Sequence, residues 1–202
     1  NAIKSKTNIK KFFLISVCDT DTNKLKNITN PNIKKFDNFK DFFNNSNNLD
    51  LVTICTPSGL HFEHCKMASA KNLNVLVEKP LTLDFKQSQK LNTIFKKKKL
   101  KLFVVKQNRF NKTLIILKEI IEKKLLGKIY LVNLNVFWHR PQKYYDQDKW
   151  KGSKILDGGA IYNQASHHID ILNWLFGKNK YVSCITSTIA RNIQTEDTAL
   201  IN

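Results

Sequence analysis

In its first half the chain alternates brief apolar runs with amphipathic stretches, and this rhythm limits its folds more than any other feature. Residues 12–18 (FFLISVC), 51–55 (LVTIC), 74–77 (NVLV) and 101–105 (KLFVV) are short and almost continuously apolar, as strands covered on both faces must be. The stretches 39–44, 62–71 and 84–97 lie between them and read as helices, the last with Leu91, Ile94 and Phe95 on one face. Strands alternating with helices make βαβ units with right-handed crossovers, so a doubly wound parallel sheet is expected. The rhythm changes near Gln107. Residues 113–124 place Leu114, Leu117 and Ile121 at helical spacing, continued by Leu125, and end at Gly127, which suits a helix and its C-cap. Tyr130, Val132, Leu134, Val136 and Trp138 then alternate with their neighbours, the period of a strand with one apolar face. An irregular aromatic loop over 141–154, a helix over 161–176 stopped by Gly177, and a strand over 181–190 complete an α+β second half with an open, mostly antiparallel sheet.

With 202 residues, 42% of them hydrophobic and 10% aromatic, the chain can bury a real core and is not disordered. No apolar run reaches the ~18–20 residues of a membrane-spanning helix, and residues 1–11 lack the apolar segment of a secretory signal. The four cysteines form no C-x-x-C pair and read as small apolar residues of a reducing, cytoplasmic compartment. A formal charge of +18 raises the question of a nucleic-acid or membrane partner. Thirty-one of the basic residues are lysine, however, and only Arg109, Arg140 and Arg191 offer the guanidinium fork that reads bases and phosphates. With 23 asparagines beside them, the lysines read as compositional bias, and neither partner is expected. The chain opens on Asn1 and its single methionine is Met67, so a fragment of a longer protein is expected.

Chemistry-bearing residues gather where the apolar runs end. Asp19 follows residues 12–18; an acid there can bind the adenine ribose hydroxyls of a dinucleotide and repel a 2′-phosphate, favouring NAD over NADP, or it can simply shape a turn with Asp21. Thr56, Pro57 and Ser58 follow residues 51–55, with His61 and His64 just beyond. Such a loop can face a cofactor, or open the next helix through a Pro turn and a Ser cap. Glu78, Lys79 and Pro80 follow residues 74–77. The lysine projects into the same crevice, beside a carboxylate able to tune its ammonium. Farther on, Asn163, His167, Asp170 and Trp174 share one face of the helix over 161–176. This polar stripe suits a pocket wall, although a buried histidine can also be purely structural. No metal-ligand spacing, Walker-type loop or nucleophile elbow is present.

Taken in order, VCDTD, VTICTPSGLHFEH, VLVEKPLTLD, VKQNRF and DGGAIYNQASHHIDILNWLFG resemble the Gfo/Idh/MocA oxidoreductases across nearly the whole chain. The stretch from Val105 through Trp150 and on to DGG is most similar to the branch that oxidises UDP-N-acetyl-2-amino-2-deoxyglucuronate at C3. The resemblance implies an α/β chain: a partial NAD-binding Rossmann domain over 1–106, then a partial α+β domain over 107–202 for substrate binding and oligomerisation. It implies NAD as cofactor, a sugar or UDP-sugar substrate, and a dimer or tetramer.

The resemblance also assigns roles. Lys79 falls on the lysine shared by cofactor and substrate, and His167 on the catalytic acid/base. Thr56, Pro57, His61 and Glu78 fall on positions lining the nicotinamide half of the cofactor, and Gln107 and Asn108 lie where the chain enters the second domain. Asp170 falls on the family's following Asp. Arg109, Arg140, Tyr145 and Trp150 are expected at the substrate, with Asn163 and Asp170. Hydride would pass from a sugar carbon to NAD while His167 takes the hydroxyl proton and Lys79 steadies the developing alkoxide. The other reading is a sensor or scaffold that keeps the fold without catalysis. Two departures stand out. Asn163 holds the place where many members carry Asp, and an amide cannot take a proton at neutral pH. The glycine-rich turn expected before Asn1–Ile3, which read as the middle of a first helix, is not in the sequence.

Overall fold

In the computed structural model, which describes residues 12–45 and 47–202, four of the five parallel strands form within the apolar runs. Strands β1 (Ser16–Cys18) and β2 (Lys34–Phe36) pair in parallel, Ser16 opposite Lys34 and Cys18 opposite Phe36. Strands β3 (Leu51–Ile54), β4 (Asn74–Val77) and β5 (Leu102–Val104) form a second parallel sheet in that order. Register aligns Ile54 with Val77 and Val77 with Val104, so neighbouring strands end at one rim. Helices α1 (Thr22–Lys26), α2 (Phe39–Asn44), α3 (His61–Ala70) and α4 (Phe85–Lys97) connect the strands. The apolar faces of α2, α3 and α4 close one core. Phe42, Phe43, Cys65, Ala68, Leu91 and Phe95 pack with Val52, Ile54, Val75 and Val77 of the sheet.

Local chemistry explains the helix starts. Asp21, Asn38 and Asp84 each accept a backbone N–H from the first turn of α1, α2 and α4, meeting a donor that would otherwise be unpaired. Asn111 does the same for α5 (Lys112–Glu122). Asn48 and Asn72 take positive φ, where asparagine is the best tolerated side-chain-bearing residue. Four of the asparagines thus serve as caps or turns.

The second half continues with α6 (Gln142–Asp146), a π-helical turn at Ile161–Ala165, α7 (Ser166–Phe176), and the antiparallel strands β6 (Cys184–Ser187) and β7 (Thr198–Ile201). Several expectations change. β2, Lys-Lys-Phe, lies outside the expected strands, being too short and charged for the apolar pattern. The expected strand over 12–18 shortens to its last three residues, and that over 181–190 to four. The alternating run 130–138 forms no strand. Alternation creates an apolar face, but a strand also needs a hydrogen-bonded neighbour, and among the described residues none pairs with this run. Its side chains stand exposed, Tyr130 at 83% and Phe137 at 95%. The helix over 161–176 divides at Ser166. Residues 1–11, and with them the first-helix reading at Asn1–Ile3, lie outside the described residues. No helix among the described residues is long and apolar enough to cross a membrane.

Candidate active site

At the rim of the β3–β4–β5 sheet, the Glu78 N–H still donates to Ile54 O at 2.9 Å, which carries the sheet pairing one residue past β4. Lys79 then leaves the rim. Its Nζ donates to Asn163 O at 2.7 Å and to Asn163 Oδ1 at 3.1 Å. Asn163 sits in the π-helical turn, the kind of helix irregularity that concentrates at functional sites. Its Nδ2 donates to Asp157 Oδ1, while Asp157 Oδ2 accepts the Gly152 N–H at 2.7 Å. Asp157 is only 2% exposed.

His167 follows Asn163 by about one turn and is buried. Burial lowers its proton affinity first, and the charges of Lys79, Lys106 and His168 lower it further against a smaller opposing effect of Glu78. Its Nδ1 is buried with no hydrogen-bond partner among the described residues. Lys79 is likewise pushed below its ordinary range, chiefly by burial and also by Lys106, while Glu78 and Asp157 oppose this. With Lys79 Nζ held to Asn163, about one turn before His167, the ammonium and the imidazole share one electrostatic neighbourhood.

One turn past His167, Asp170 receives both Arg109 Nε and Nη2 at 2.7 Å, with Lys106 Nζ at 3.8 Å. Arg109 and Asp170, both expected at the substrate, therefore hold each other and pin the 3₁₀ turn Gln107–Phe110 to α7. In that turn Gln107 is exposed and Asn108 half-buried. Arg140 lies between the rings of Trp138 and Tyr144, 4.5 and 4.7 Å from their centroids. Tyr145 is buried edge-on against Tyr144 and Trp150 is half-buried. The Asp157 charge raises the pKa of the Tyr145 phenol, after burial itself, so this aromatic cluster borders the Asp157 end of the site.

On the cofactor side, Asp19 follows β1 and its Oδ1 accepts the Asp21 N–H at 2.9 Å, with Lys24 Nζ 3.6 Å from Oδ2. It shapes a turn and stands at a strand end at once. His61 is 1% exposed, with Nδ1 2.7 Å from Pro80 O and Nε2 2.8 Å from Thr56 O. It ties the loop after β3 to the loop after β4. Thr56 Oγ1 bonds His64 Nδ1 at 3.0 Å, and Pro57 precedes the 3₁₀ turn Ser58–Leu60. The Gly59 N–H reaches Leu156 O at 3.0 Å, so this loop also touches the segment carrying Asp157. A nicotinamide dinucleotide fits these residues: Thr56 and Lys79 leave the carboxyl ends of adjacent parallel strands, where such ligands bind in open α/β sheets, and the His167 imidazole lies within electrostatic reach of Lys79. Sequence reasoning assigned nothing to Asp157, Lys106 or Glu196. The signal for Asp157 was its place in D-G-G, six residues before Asn163; Lys106 and Glu196 had none.

Comparison with known proteins follows the same lines. The structure of the WlbA dehydrogenase from Chromobacterium violaceum, in complex with NADH and UDP-GlcNAcA, is 40% identical and superposes with a TM-score of 0.91 over 97% of this chain and 57% of its own. The Bordetella pertussis WlbA dehydrogenase, in complex with the same two ligands, is 38% identical with a TM-score of 0.87, over 93% of this chain and 58% of its own. The curated scyllo-inositol 2-dehydrogenase (NADP(+)) IolW of Bacillus subtilis is 28% identical over 74% of this chain and 41% of its own length. The chain thus spans just over half of these solved structures and under half of that curated relative. Residues 2–106 match the Gfo/Idh/MocA oxidoreductase family, NAD-binding Rossmann fold, and residues 115–202 match the Gfo/Idh/MocA C-terminal domain. On fold, motif order and both matches, the chain belongs to the Gfo/Idh/MocA family of NAD-binding oxidoreductases.

Proposed function

We propose that the protein is an NAD-dependent dehydrogenase that oxidises a CH–OH carbon of a nucleotide sugar bearing a carboxylate. The observation that carries this reading is the meeting of Lys79, from the rim of a parallel sheet, with the helix segment that holds Asn163 and His167. The WlbA structures, each in complex with NADH and UDP-GlcNAcA, support the choice of substrate class. We assign the cofactor to residues 1–106 and the substrate and subunit contacts to residues 107–202.

Bound NAD supplies the hydride acceptor. Asp19 would meet its adenosine end, and Thr56, Pro57 and Glu78, with Gln107 and Asn108, would line its nicotinamide end, His61 holding two of these loops together. His167, neutral because burial and nearby cations disfavour its charged form, takes the hydroxyl proton at Nε2 as the carbon–hydrogen bond breaks. Lys79 donates to the same oxygen and stabilises its developing negative charge. Arg140, with Tyr145 and Trp150, faces the anionic part of the sugar nucleotide. Arg109 and Asp170 set the angle of α7.

The test is reduction of NAD by UDP-GlcNAcA in the full-length protein, followed at the nicotinamide absorbance band. His167→Ala and Lys79→Ala should each lower kcat by about 10²–10⁴-fold, the usual worth of a positioned acid/base. A wild-type protein that reduces no NAD with acidic nucleotide sugars, or an unimpaired His167→Ala variant, overturns the reading.

A further inference from the structure

We propose that Asp157 is a positioning residue for Lys79: through the side-chain amide of Asn163 its buried carboxylate fixes where the ammonium points and keeps it charged. The geometry is a three-member chain. Lys79 Nζ donates to Asn163 Oδ1 at 3.1 Å, Asn163 Nδ2 donates to Asp157 Oδ1, and Asp157 Oδ2 takes the Gly152 N–H at 2.7 Å. The amide can sit only one way round. Reversed, its NH₂ would face an ammonium and its oxygen a carboxylate, so the two charges at the ends of the chain orient the group between them.

The anchor is built for this. A carboxylate 2% exposed is costly unless its oxygens are paired, and both are. Gly152 has φ +71°, and a Cβ there would lie 2.7 Å from Ile193 Cγ2, so the N–H that holds Asp157 belongs to a backbone form only glycine fits comfortably. Position 163 is an amide and brings polarity without charge; the negative charge stands one group farther back, out of reach of solvent. Four charged or titratable groups face Lys79: Glu78 beside it, Asp157 through the amide, and Lys106 and His167 from the following segments. Glu78 and Asp157 favour the ammonium, and Lys106 and burial oppose it. Tyr145 and Lys79 both feel the Asp157 charge.

The inference rests on the dehydrogenase reading for what Lys79 does, but not for where its proton sits. The test therefore reads the proton directly in the full-length protein. The Lys79 side chain is titrated by NMR of protein labelled with ¹³Cε-lysine, its signal assigned by loss in Lys79→Arg. In Asp157→Asn one amide donor must face another N–H, either Gly152 or Asn163, so the chain breaks without loss of volume. The Lys79 midpoint should move to lower pH. In turnover, kcat should fall on the order of tenfold to a hundredfold, its alkaline limb should shift to lower pH, and KM should change far less. Asn163→Ala, which cuts the link with Asp157 in place, should move the midpoint the same way, and it carries the test if Asp157→Asn does not fold. A folded variant whose Lys79 midpoint matches wild type overturns the inference. A shifted midpoint in a protein that oxidises no sugar upholds it and removes the dehydrogenase reading instead.

Discussion

His167 shows how much of the chemistry is set by the surroundings of one side chain. Its type and place on the helix face were legible in the sequence; its protonation state was not, because that depends on burial and on Lys79, Lys106 and His168, which the fold brings in from elsewhere. With its proton affinity lowered below the usual value of 6.5, the imidazole stays a base in mildly acidic solution. We expect the acid limb of kcat/KM to have its midpoint below 6.5; a midpoint above it would show that the ring is not the base. The same shift bears on stability. The unfolded chain binds protons at His167 and His64 more readily than the folded one, so this stabilisation is present above about pH 6.5 and is lost as pH falls through the folded midpoints. Asn163 departs from the family pattern in sequence. Only its partners show that it joins a lysine to a buried acid.

At the scale of elements, the start of the helical segment that carries His167 depends on a distant loop. Glu196, just before β7, accepts the Ala160 N–H at its backbone carbonyl, 3.1 Å, and the Ile161 N–H at Oε1, 2.8 Å. An acid at a helix start satisfies free donors and suits the macrodipole. Gly159, at φ +89°, makes room for it, since a Cβ there would sit 2.3 Å from Glu196 Oε2. Gly159→Ala should cost about 1–3 kcal/mol through strain and displacement of that carboxylate, and Glu196→Ala about 1 kcal/mol through the lost cap. Denaturant titration of each variant measures both. A change below a few tenths of a kcal/mol in either would remove Glu196 from this task. Helices with their own caps, such as α4 behind Asp84, could be located from sequence to within a residue or two. The start at Ile161 was equally legible, but the π form of the first turn and its division from α7 at Ser166 were not, and its cap comes from 35 residues away. The run 130–138 failed for a related reason: its alternation describes a face, and pairing is decided by another segment.

For the molecule as a whole, one well-packed core in the first half carries a more open second half. Cys65 lies in that core at 0% exposure, its thiol pushed up to about 12 by burial, whereas Cys18, Cys55 and Cys184 are exposed. A thiol reagent at neutral pH should therefore reach Cys18, Cys55 and Cys184 in the native protein and Cys65 only after denaturation. Labelling of Cys65 in the native state would mean that the α3–β4–α4 core opens readily. By itself the sequence determined the alternation of elements, the parallel first half, the core positions and the residue types at strand ends, because hydrophobic period and capping act over a few residues. The tertiary structure alone decided that Arg109 pairs with Asp170, that His61 ties two loops, and that Asp157 reaches Lys79 through Asn163. Those outcomes depend on distances between segments tens of residues apart and on charges screened or exposed by burial, and neither is written in any local stretch of chain.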